Sequence, residues 1–307
     1  KWASNGKSIK FEVTSFFLGA NIQQNAHSIK LSQKAYIDTW VNEMKADGTI
    51  NAPLPKPTTP LPTGYVVDKR TCPGNPQVRS KFRTLVAKVG WVAMVSRPDV
   101  AFAANQLAQI SLDPSEEHIK MVFRVIAYLA NTSDIGIEYK RTKPGKDKTH
   151  TLRAAADASH WSCPVTRKST SGYVCFMQSG PLNWHVRKQS IITLSSCESE
   201  IVAACEAVKD VLLLRRMIEE QRGTTEPSTE VGQDNTSTIS IIENPELVTS
   251  GTKSKHIAAR FLWIKQSIDA LEVHVVKVPT AKLEADFFTK ALAPPLFLKF
   301  RQQMMSR

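Results

Sequence analysis

The chain is short of the features that would place it in a bilayer or in a disulfide-built secreted scaffold. Its five cysteines, Cys72, Cys163, Cys175, Cys197 and Cys205, show no C-x-x-C spacing and no neighbouring His pair. That argues against a disulfide framework and a zinc site, and fits a reducing compartment. Cys197 and Cys205 lie eight apart in an alanine-rich helical stretch and read most simply as core packing. No apolar run approaches the roughly 20 residues needed to span a bilayer, and residues 1–10 lack the apolar core of a signal peptide. With no opening Met, the chain is expected to be a fragment or a processed piece. Internal repeats, low-complexity tracts and any helix-turn-helix signature are also missing, which leaves a sequence-specific DNA-binding regulator without support beyond charge.

What is present belongs to an ordinary globular protein. The 307 residues are 42% hydrophobic and 22% charged, enough for two domains with a real core. Forty Lys and Arg against 28 Asp and Glu give a net charge of +12. Such an excess points to a polyanionic partner, and without a membrane segment nucleic acid leads.

Residues 11–31 alternate as strands do and suggest a hairpin turning near Asn25, followed by a short amphipathic helix over 36–44. Pro53, Pro55, Pro57, Pro60 and Pro62 rule out regular structure and mark a linker. Helical spacing runs over 81–105, interrupted at Arg97 and Pro98, and a second helix opens at Ser115. The run Lys140, Arg141, Lys143, Lys146 and Lys148 reads as a basic linker. Beyond it the expected order is an apolar run ending at Asp157, strands over 172–178 and 182–186, and a long helix over 196–221. A strand ending at Asp234, helices over 236–242 and 253–271, a strand over 273–278 and a helix from Leu283 complete it. This is an α/β layout with a mixed sheet. The divisions expected are 1–64, 65–149 and 150–307.

Phosphodiester hydrolysis with two metal ions about 4 Å apart needs several carboxylates converging on one point. Asp157 closes an apolar run, although a turn-forming Asp would look the same. Glu200 shares a helix face with Ala203, Ala204 and Ala207, a small-residue face that can lie close to a sheet. Glu198 is about 200° away and reads as the solvated acid. Either Glu also suits a first helical turn for its dipole alone. Asp234 could be a strand-end acid or an N-cap, a role open to Asn235 as well. Asp286, early in the last expected helix, could equally serve the dipole. Together they form an ordered set on strand, helix, strand end and helix.

That order resembles the ribonuclease H fold, and the surrounding words resemble the Pol polyproteins of copia-type LTR retrotransposons (Pseudoviridae). The carrying runs are Arg167-Lys168-Ser169-Thr170-Ser171-Gly172-Tyr173 and Leu194-Ser195-Ser196-Cys197-Glu198-Ser199-Glu200, then Gln233-Asp234-Asn235 and Ala285-Asp286-Phe287-Phe288-Thr289-Lys290-Ala291-Leu292. In the first half, Phe17-Leu18-Gly19 with Leu31-Ser32-Gln33-Lys34-Ala35-Tyr36-Ile37 resembles the end of the reverse-transcriptase palm. Pro60-Leu61-Pro62-Thr63-Gly64 and the run Ser96-Arg97-Pro98-Asp99-Val100-Ala101-Phe102-Ala103-Ala104-Asn105 resemble its thumb and connection.

The resemblance implies a ribonuclease H-like mixed five-stranded sheet with flanking helices, preceded by a mainly helical thumb and connection remnant and a short β-hairpin. It implies that Asp157, Glu200, Asp234 and Asp286 hold two Mg2+ ions, for which Mn2+ can substitute, and cut the RNA strand of RNA/DNA hybrids. Arg167, Lys168, Arg187 and Lys188 are candidate phosphate contacts, and solvated charge is the plain alternative for each. Expected partners are the hybrid and other parts of Pol, in the cytoplasm within a virus-like particle or in the nucleus, without secretion. Departures accompany the match. No adjacent Asp pair occurs, so the family's Tyr-x-Asp-Asp polymerase box is expected upstream, and DNA synthesis is not expected of this chain. Near the retained His256, Ala258 stands where the family commonly has Asp and Leu262 where it has His. These changes keep open the alternative of a catalytically silent, nucleic-acid-binding or subunit remnant.

Overall fold

A computed structural model describes residues 15–51, 53–67, 76–140, 152–177, 179–244 and 255–305. The basic stretch after Lys140 and Cys72 lie outside the described residues, as does the side chain of His256.

The first half builds a small sheet and a helical layer. Strands β1 (Phe16–Phe17), β2 (Ala20–Gln24) and β3 (Ser28–Ser32) form antiparallel pairs, with β2 and β3 turning at Asn25. The Asn25 carboxamide oxygen accepts from the backbone N–H groups of His27 and Ser28, both at 2.7 Å, which closes the turn. The hairpin is thus present, but it belongs to a larger sheet than expected. β4 (Ile137–Lys140) adds beside β3 from more than a hundred residues away. Helices α1 (Lys34–Ala46), α2 (Pro76–Val95), α3 (Ala101–Ala108) and α4 (Glu116–Asn131) follow the apolar spacing. A 3-10 turn at Pro98–Val100 makes the break seen at Arg97 and Pro98. Ser115 caps α4 in a box closed by His118, and Val122, Val125, Ile126 and Leu129 are fully buried.

The second half is a five-stranded mixed sheet. β5 (Arg153–Ser159), β6 (Thr170–Met177) and β7 (Gly180–Lys188) are antiparallel neighbours, and β8 (Thr229–Gln233) and β9 (Val273–Lys277) add in parallel on the other side of β5. The spatial order is β7-β6-β5-β8-β9. This is the mixed ribonuclease H-like sheet that the resemblance implies. The long helix α5 (Ser196–Arg222) and α7 (Lys255–Asp269) cover one face, with α6 (Thr236–Glu243) beside them. Ser195 caps α5, and Gly223 ends it at φ 69°.

Side chains of β5 alternate between two cores, as a period of two requires. Ala154, Ala156 and Ala158 join the core under α5, whereas Ala155 joins the core that runs through the first half of the chain. That second core also takes Phe287, Phe288, Phe297 and Phe300, and this segment meets α3 and, through Tyr128, α4. The proline-rich stretch lacks regular structure, as expected, yet it is not loose. Leu61 is buried, and the Gly64 N–H donates to Ala291 O at 2.8 Å.

Two local expectations are corrected. β5 runs on to Ser159, because Ala158 and Ser159 still pair with β6. The helix expected from Leu283 is instead a 3-10 turn at Glu284–Phe288, followed by α8 (Pro294–Met304). Pro294 and Pro295 lack the N–H groups that a helix running through from Leu283 would need, and prolines fit well at a helix start.

Candidate metal centre

Pairing between β5 and β8 ends at Ala155 and Gly232, two residues before Asp157. Past that point β5 stays with β6 while the chain after β8 turns into α6, so Asp157 stands where neighbouring strands part. Asn235 takes the N-cap of α6, accepting from the Thr238 N–H at 3.1 Å, which decides between the two capping candidates and leaves the Asp234 carboxylate for other use. Thr280 Oγ1 donates to Asp234 Oδ2 at 2.8 Å and orients it.

Asp286 arrives on the 3-10 turn, which lies over β6 opposite Asp157. Gly172 is the residue paired with Asp157. A Cβ there would come within 2.6 Å of Phe288 Cβ and 2.7 Å of Thr289 Cγ2. Only a glycine lets this turn approach so closely, and the approach lets the Thr289 hydroxyl donate to Asp157 Oδ2. One oxygen each from Asp157, Asp234 and Asp286 then lie within 4.8 Å of one another.

Glu200 is outside that mutual group but borders it. It is 5% exposed, takes a hydrogen bond from Gln233 Nε2 at 3.3 Å and another from the Ala158 backbone. Burial, then the charges of Asp157 and Asp234, push its carboxyl up to about 9. Glu198 instead closes the start of α5: its N–H donates to Ser195 Oγ at 3.1 Å, and its Oε2 accepts from the Leu194 N–H at 2.7 Å. Burial, followed by the charge of Asp157, raises Asp286 to about 6. Lys290 Nζ lies 2.5 Å from Asp286 Oδ1 and 3.4 Å from Asp157 Oδ2. Sequence reasoning quoted Gly172, Gln233, Thr289 and Lys290 within motifs but gave them no role. Their long-range contacts run from 33 residues, Gln233 to Glu200, up to 133, Lys290 to Asp157.

These acids fit hard divalent cations, which take oxygen ligands. Without one, the site holds more negative charge than it can ionise. A pH dependence follows. A folded-state carboxyl above its ordinary value keeps a proton that the unfolded chain has released, so stability falls as pH rises between the two values. In chelator, the melting temperature should fall between about pH 5 and pH 9 because of Glu200 and Asp286, and magnesium should flatten that slope. Calorimetric melts across the range check this, and a slope of equal size in both buffers would refute it.

The four basic candidates lie on the β5–β6 connection and at the end of β7. Arg167 (φ 53°) and Lys168 lie in the β5–β6 connection, and Lys168 Nζ donates to Ser190 O at 2.5 Å. Arg187 and Lys188 end the edge strand β7, beside a groove shared with His185 and Arg260. Trp161, which sequence reasoning passed over, is 46% exposed, stacks on His160 with centroids 4.9 Å apart, and donates Nε1 to Thr193 O at 2.9 Å. Ala258 and Leu262 lie on α7, Ala258 against the core under α5 and Leu262 45% exposed.

No protein-family model matches the chain. Among curated proteins, it is 26% identical over 277 residues to the Pol polyprotein of transposon TNT 1-94 from Nicotiana tabacum, covering 88% of this chain and 20% of that one. It is 28% identical over 294 residues to the Pol polyprotein of transposon RE1 from Arabidopsis thaliana, covering 94% and 19%. The chain therefore spans about a fifth of the length of these relatives. It is also 34% identical over 134 residues to secreted RxLR effector protein 161 from Plasmopara viticola, covering 43% of this chain and 90% of that one. Among solved structures, LC11-RNase H1 in complex with an RNA/DNA hybrid is similar with a TM-score of 0.33 and 16% identity, over 45% of this chain and 93% of that one. Among the described residues, no helix is long and apolar enough to cross a membrane.

Proposed function

We propose that this chain, which belongs to the Pol polyproteins of copia-type retrotransposons, is a ribonuclease H that hydrolyses the RNA strand of RNA/DNA hybrids. The observation that carries the reading is the convergence of Asp157, Asp234 and Asp286 within 4.8 Å, from three separate segments, with buried Glu200 against them. Asp157, Glu200, Asp234 and Asp286 would hold two Mg2+ ions, or Mn2+ in their place, which would supply Lewis-acid stabilisation and lower the pKa of a water so that it can give up a proton and attack a phosphate as hydroxide.

The chain's own part is preorganisation. Asp157 and Asp286 are fixed in the interior by Thr289 and the 3-10 turn, while Asp234 stands half-exposed where a phosphate can reach it. Arg167, Lys168, Arg187 and Lys188 are assigned to phosphates of the hybrid, which would make binding salt-dependent and largely blind to sequence. The nuclease unit is assigned to residues 150–307, with 65–149 as its helical support and 1–64 as its link to the rest of Pol. Cutting in line with the departing 3′ oxygen would leave 5′-phosphate and 3′-hydroxyl ends.

The test incubates the purified chain with end-labelled RNA/DNA hybrid, single-stranded RNA and duplex DNA, each with magnesium and with chelator. Cutting of the RNA strand in the hybrid alone, abolished by chelator, is the expected result. Salt-sensitive binding without cutting would replace this reading with the silent remnant.

A further inference from the structure

Lys290 brings its charge into the acid cluster itself. Its ammonium is within 2.5 Å of Asp286 Oδ1 and 3.4 Å of Asp157 Oδ2, and the charge of Asp234 acts on it as well. The side chain is 39% exposed, against 2% for Asp157 and 5% for Asp286, so it reaches in from the solvent side. Its backbone is held, because the Lys290 N–H donates to Asp286 O at 3.2 Å and the next residue, Ala291, accepts from Gly64. A fixed backbone carrying a long flexible stem lets the ammonium swing out without moving the acids.

We propose that Lys290 is a built-in counter-ion, which occupies the acid cluster when no divalent cation is bound and yields its place when one enters. The proposal rests on the metal-centre reading above and adds a competitor to it. An ammonium and a divalent cation claiming the same carboxylate oxygens repel each other, so each weakens the other's hold. Acids that would otherwise repel are kept assembled between metal-binding events, and metal affinity is lowered as a consequence. Lys290 is thus a positioning residue and not a catalytic one.

Calorimetric titration of the full chain with Mg2+ tests this in the parent, Lys290→Gln and Lys290→Arg proteins. The Gln variant should bind Mg2+ about tenfold tighter, and the Arg variant, which keeps the charge, should stay near the parent. Metal-free Lys290→Gln should also melt below the parent and recover with Mg2+. Should the Gln variant not fold, amine-reactive footprinting of the parent gives the answer, because Lys290 modification should rise several-fold when Mg2+ expels the ammonium. Equal affinities in parent and Gln variant, or a Lys290 that becomes less reactive with Mg2+, would overturn the proposal. Absence of Mg2+ binding in all three would overturn it together with the metal-centre reading. Competitive Mg2+ binding in a parent that never cuts a hybrid would uphold Lys290's role and remove only the nuclease reading.

Discussion

Asp157→Asn is expected to lower hybrid cleavage by about a thousandfold or more while leaving hybrid binding nearly intact. Asp157 is the centre of the cluster: it accepts from Thr289, pairs with Lys290, and its charge raises both Glu200 and Asp286. An Asn carboxamide has nearly the same shape and can still accept from Thr289, so the fold should tolerate it. What is lost is one negative charge and one anionic oxygen donor. The same loss relieves repulsion in the metal-free protein, so its melting temperature should equal or exceed the parent's. Lost activity with unimpaired stability is the signature of a site that holds strain for function. A variant that cuts within a few-fold of the parent would remove Asp157 from the chemistry, and one that melts far lower would make it a structural residue.

Asp99→Ala is expected to cost about 3–5 kcal/mol of folding stability, read as a lower urea midpoint. Arg97 and Asp99 both have side chains with 0% exposure, and the guanidinium meets the carboxylate through two bonds of 2.9 and 2.7 Å. Two further donors of Arg97 go to Thr132, and Tyr128 donates its hydroxyl to Asp99 at 2.6 Å. Removing the acid strands a buried cation that water cannot reach. Replacing both partners, as in Arg97→Met with Asp99→Leu, should recover most of the loss, because no charge is then left unpaired. A single variant costing under about 1 kcal/mol would show that water reaches Arg97 after all. The effect bears on the site through α8. Arg301 donates to the Tyr128 hydroxyl at 3.0 Å, Tyr128 meets Phe297 edge-on at 5.9 Å, and Phe297 lies 4.9 Å from Phe287, the residue after Asp286.

The sequence by itself determined most of the elements and singled out Asp157, Asp234 and Asp286, which the fold brings together. Period-two and helical spacing predict β6, β7, α5 and α6 within a few residues, since these signals arise from neighbouring side chains sharing one face. The small-residue face of α5 separates Glu200 from Glu198, because a helix turning 100° per residue presents only one of them to the sheet.

Tertiary structure decided what depends on distant partners. Periodicity holds no record that β4 would close the first sheet, that Asn235 would take the cap and free Asp234, or that Asp286 would ride a 3-10 turn over Gly172. Nor does it record that the proline-rich stretch and α3 would lie against the segment carrying Asp286 and Lys290. Spacing along a chain reports which side chains share a face. Which atoms meet across 132 residues, as Thr289 and Asp157 do, is set by close packing of whole layers, and that exists only once the chain has folded.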